Sequence, residues 1–108
     1  IADYDARDAA ATVIKTELSK VIGYYAKHYL NDYLFKVSSG NIASAHHSLS
    51  QAYGFIFSLM FTNEGSDTPY VSRDAVMSAL NNNFVDFHNM QDIHIIDVIA
   101  LIDNAFGW

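Results

Sequence analysis

Proline occurs once in this chain, at Pro69, and glycine only five times. Residues 1–39 contain no proline and a single glycine, Gly23. Many short strands would need turn residues at regular intervals, and these are missing, so long helices are favoured. The 108 residues suit one domain with one core. With 51% apolar and 17% charged residues, the composition is not that of a disordered chain. The expectation is an all-α fold, a helical bundle of about four helices.

The first helix is predicted over residues 5–35. On a wheel of about 100° per residue, Val13, Ile14, Leu18, Val21, Ile22, Tyr25 and Tyr29 share one face, the one expected to be buried. Lys15, Ser19, Lys20 and Lys27 fall opposite. Gly23 is a point where this helix can bend or split. Asp3, Asp5 and Asp8 near its start and Lys36 near its end complement the helix dipole.

The second helix is predicted over residues 42–61, capped by Ser39 or Asn41. Its apolar arc holds Ile42, Ala45, Leu49, Ala52, Ile56, Leu59 and Met60. A polar loop containing Glu64-Gly65, Asp67 and Pro69 leads to a third helix over residues 73–82. Ser72 is its cap and Asn81-Asn82-Asn83 its end. Phe84 and Phe87 are expected to lie against the core although their segment is irregular. The fourth helix is predicted over residues 90–105, with Ile95, Ile96, Val98, Ile99 and Ile102 covering a wide arc. By composition it is the most buried of the four. The β-branched run 93–99 leaves a strand as the alternative.

The formal net charge is −6, and the six Lys and Arg residues are scattered. Nucleic acid is therefore not an expected partner, since phosphate binding needs clustered cations. With no cysteine, disulfides and thiolate metal sites are excluded. No transmembrane segment is expected, because no apolar run approaches the ~20 residues of a span. The candidates, residues 53–61 and 93–105, are short or broken by Asp97 and Asp103. The chain opens on Ile1, not Met. Such a start points to a processed product or a fragment, and residues 1–108 are expected to form a single helical domain.

Two constellations carry potential chemistry. On the second helix Ser44, His47, Gln51, Gly54 and Ser58 form a small, polar stripe where an ordinary solvent face would carry Lys and Glu. One reading is a ligand or partner contact made by His47, Gln51, Gly54 and Ser58, with Gly54 admitting close approach. The other is a helix–helix contact in which a neutral histidine is simply hydrogen-bonded. His46 and His47 point about 100° apart, so they do not share one metal easily. The second constellation is His28 with Asp32, one helical turn apart. It reads either as a carboxylate orienting an imidazole or as a local ion pair. A metal site would draw on His47, His28 and Asp32. However, Glu-x-x-His and His-Glu-x-x-His are absent, as are phosphate loops and nucleophile elbows.

Residues 45–59, Ala-His-His-Ser-Leu-Ser-Gln-Ala-Tyr-Gly-Phe-Ile-Phe-Ser-Leu, resemble the central helix of an uncharacterised family of extracytoplasmic lipoproteins of Bacteroidota, related to the imelysin-like proteins. Thr68-Pro69-Tyr70 and the helix after it are similar too. The resemblance spans roughly residues 20–105. It implies an all-α fold, export to the periplasm or outer surface, and a link to iron or haem uptake; because family members are longer, it also implies that this chain is the C-terminal portion of a longer protein. It implies no established activity. Gln51 departs from the family pattern, which places an acidic residue there, and this weakens transfer of a metal-binding role.

The expected function is thus a non-enzymatic, exported helical binding or assembly module. Its partner would be another protein, further copies of the chain or the missing N-terminal portion, and no cofactor is required. The alternative is a metal- or haem-binding protein of an iron-uptake system using His47, with iron or haem as the cofactor.

Overall fold

A computed structural model describes residues 4–87 and 89–108. Asp3, one of the three expected dipole partners, lies outside these. Four helices follow in order: α1 Tyr4–Ser38, α2 Ile42–Ser58, α3 Arg73–Asn83 and α4 Asp92–Phe106. The end predicted for α2 tightens into a 3-10 turn, Leu59–Phe61. Residues 93–99 are helical, which removes the strand alternative, and no strand occurs among the described residues.

Local chemistry explains where the helices stop. Gly40 takes a φ of 79°, and the Asn41 N–H donates back to the Lys36 carbonyl at 2.9 Å. Gly107 repeats the device on α4 with φ 73°, and the Trp108 N–H donates to the Asp103 carbonyl at 2.8 Å. Both are left-handed closures that satisfy orphan carbonyls. Of the two candidate caps of α2, Asn41 accepts from the Ser44 N–H, while the Ser39 hydroxyl donates to the Phe35 carbonyl. Ser72 caps α3 by accepting from the Ala75 N–H at 3.1 Å, as expected.

The three-residue link makes α1 and α2 an antiparallel hairpin. α4 packs on α1, and α3 on α2. Leu30, Leu49, Ile56, Leu59, Val76, Val98, Ile95 and Ile102 are fully buried between them, each contributing about 1.5–3 kcal/mol of transfer free energy. Phe84 is buried and Phe87 half-buried, both ringed with Tyr53 at centroid distances of 5.8 and 5.9 Å. Contrary to expectation, α2 contributes more of the core than α4. Ile93 and Ile96 of α4 stay exposed, as does Ile42 at the start of α2.

The largest departure concerns α1. It runs unbroken through Gly23, and the side it buries is Ser19, Gly23, Ala26, Leu30 and Tyr33. The face expected inside is largely outside: Val13, Ile14, Leu18, Val21 and Tyr25 are exposed, and Ile22 and Tyr29 half-buried. The physical reason is closeness of approach. A Cβ on Gly23 would fall 2.6 Å from the Phe106 ring, so only glycine admits α4 at this height. Ser19, placed on the solvent side by the wheel, is buried; its hydroxyl donates to the Lys15 carbonyl and accepts from the Asn63 N–H at 2.8 Å. Lys27, also expected outside, is half-buried in an ion pair with Asp103. Small residues packed by α4 and the 62–71 loop therefore outcompete the branched face. α1 gives the molecule its long axis of 61 Å against 24 and 20 Å, and residues 4–10 are exposed on every side.

Candidate functional site

The middle of the polar stripe of α2 faces solvent. His47, Gln51 and Gly54 are exposed and Ser44 and Ser58 half-buried. Gln51, Gly54 and Ser58 line an open depression of about 330 Å³ with Ser50 and Phe55; His47 lies outside that lining. Ser58 donates to the Gly54 carbonyl at 2.9 Å. No neighbouring atom is found within 4 Å of where a Gly54 Cβ would stand, so no contact among the described residues calls for glycine there.

Phe55 ties this depression to α1. Its ring is stacked with Tyr25 and with Tyr29, both at 5.7 Å. Tyr24 and His28 extend the aromatic surface along α1, with Tyr24–Tyr25 at 5.4 Å and His28–Tyr29 at 5.2 Å. From Tyr25 the apolar stripe continues through Val21, Leu18 and Ile14. The outer face of the α1–α2 hairpin thus pairs an aromatic and aliphatic ridge from α1 with a shallow, small-residue trough on α2.

His28 is exposed and engaged with tyrosine rings. Asp32 makes its bonds elsewhere: its Oδ2 accepts from Lys36 Nζ at 2.8 Å and from the Ser48 hydroxyl at 2.6 Å. Lys36 Nζ also donates to the Ser48 hydroxyl at 3.0 Å. These bonds from Lys36 and Ser48 hold the Asp32 carboxyl below its ordinary value of 3.8. The triad crosses from α1 to α2, and Ser48 within it is buried. Sequence periodicity paired Asp32 with His28 because both lie on one helix; Ser48 comes from sixteen residues away, a proximity that periodicity cannot see. Among the described residues, no three His, Asp or Glu side chains come together to hold a metal.

A second concavity was not anticipated. Tyr24, Lys27, His28 and Asn31 of α1 and Trp108 beyond α4 line a cleft of about 300 Å³. The available signal was the chain's single tryptophan, but its neighbours depend on how α4 docks.

A family model described as a domain of unknown function, DUF4856, matches residues 1–107. The chain belongs to that family. No curated protein and no solved structure matches it. Membership of DUF4856 brings no activity with it, so function has to be argued from the surfaces just described. No described helix is long and apolar enough to cross a membrane.

Proposed function

We propose that this DUF4856 member is a non-enzymatic helical binding and assembly module that docks a further helix on the outer face of its α1–α2 hairpin. One observation carries the reading. Ile14, Leu18, Val21 and Tyr25 recur at the 4-3-4 spacing of a coiled-coil seam, yet they remain 59%, 60%, 48% and 41% exposed. Contiguous apolar surface of this kind is typical of an interface. The α2 trough, joined to it through Phe55, includes Ser50, Gly54 and Ser58 in its lining, small residues at which an incoming backbone can approach closely. The helix is supplied by a second copy of the chain or by a partner protein. Export, and kinship with the imelysin-like proteins, belong to the same proposal and rest on the resemblance of residues 45–59.

Sedimentation of the purified chain tests this reading. The wild type is expected to show concentration-dependent association. The double variant Leu18→Glu, Val21→Glu is expected to stay monomeric with its melting temperature preserved, because both side chains lie outside the core. A wild type that remains monomeric at every concentration rejects the self-association form. Equal association by the variant would place the interface elsewhere.

A further inference from the structure

We propose that the cleft between α1 and Trp108 is a binding site for a single neutral saccharide ring. One wall is aromatic: the Tyr24 and His28 rings, one turn apart on α1, are stacked within 12° of parallel with centroids 6.2 Å apart. The other wall is the Trp108 indole, 48% exposed and held in place from behind. It stacks on Phe106 at 4.8 Å, and Phe106 stacks on Tyr70 at 4.2 Å while resting over Gly23. The left-handed closure at Gly107 fixes the backbone between the two aromatic rings. Trp108 is therefore preorganised, which lowers the ordering cost of binding.

The polar groups between the walls decide the ligand class. Asn31 offers an amide that both donates and accepts. Lys27 offers ammonium protons, but its charge is already balanced by Asp103, whose Oδ1 lies 2.7 Å away without the alignment of a hydrogen bond. Among the described residues of the cleft, a phosphate or carboxylate would find no unpaired lysine or arginine, in a chain of net charge −6. A wholly apolar ligand would strand Asn31 and Lys27. A pyranose satisfies both demands: its C–H faces lie on aromatic rings while its hydroxyl edge exchanges hydrogen bonds with an amide and an ammonium group. The volume of about 300 Å³ admits one ring, and a ligand of about a dozen heavy atoms corresponds to a millimolar dissociation constant.

Trp108 is the only tryptophan, so its fluorescence reports on this cleft alone. The full chain is titrated with glucose, galactose, mannose and N-acetylglucosamine, and separately with inorganic phosphate. The expected result is a saturable change with at least one sugar in the millimolar range, weakened about tenfold or more in Asn31→Ala. Asn31 is exposed, so this variant retains the fold, which circular dichroism checks. Three results overturn the proposal: no saturable response to any of the four sugars up to about 100 mM, an undiminished response in Asn31→Ala, or a response to phosphate alone.

Discussion

Gly23 of α1 and Phe106 of α4 share one point of contact, where an added Cβ would lie 2.6 Å from two ring carbons. The ring cannot retreat freely, because Tyr70 and Trp108 both stack on it. Gly23→Ala gains about 1 kcal/mol of helix propensity but forces an overpacked contact costing about 1–3 kcal/mol. The variant is expected to be less stable by about 1 kcal/mol in urea unfolding. A more stable variant would show that α4 can shift at no cost.

The same substitution at Gly54 should have the opposite sign. The position is helical and exposed, with open space around it. Gly54→Ala is expected to stabilise the isolated chain by about 0.5–1 kcal/mol. If the α2 trough receives a helix, the added methyl also weakens association. Unfolding and sedimentation of one variant read both effects.

Leu18 and Leu30, both on α1, should respond very differently to truncation. Leu30 is fully buried, and Leu30→Ala is expected to cost about 2–5 kcal/mol. Leu18 is exposed, and Leu18→Ala should stay within about 0.5 kcal/mol in the monomer. Equal losses at the two positions would mean that the expected face of α1 is buried after all.

Asp32 sets an acid limb. Its carboxyl titrates below 3.8 in the folded chain because Lys36 and Ser48 bond its charged form. That contribution is fully present above the unfolded value and is lost as pH falls through the lower folded one. Removing the carboxylate in Asp32→Asn should flatten the decline of melting temperature below about pH 4. Ser48→Ala, which strands the Lys36–Asp32 pair without its buried bridge, should cost about 1–2 kcal/mol at neutral pH.

The elements were legible because helix ends are local chemistry. Ser72 and Asn41 act within one turn of where they stand, and a chain with a single proline has little reason to break α1. The inward arc of α2 was legible for a similar reason: Ala45, Leu49, Ala52 and Ile56 recur at helical spacing along one side. α1 was not legible, because apolar side chains occupy several of its sides. A wheel ranks faces by hydrophobicity, whereas the bundle selected the face that let α4 and the 62–71 loop come nearest. The candidate surfaces divide in the same way. The unusual stripe on α2 could be seen in the sequence, but its facing solvent, its junction with Tyr25 through Phe55, and the cleft at Trp108 could not.

By itself, then, the sequence determined four helices, their approximate limits and the apolar arc of α2, all set by contacts within a few residues. Only the tertiary structure decided which side of α1 is inside. That choice turned on Gly23 accepting the Phe106 ring and Ser19 accepting the Asn63 N–H, contacts between residues far apart in the chain. The same choice left Ile14, Leu18, Val21 and Tyr25 facing outward.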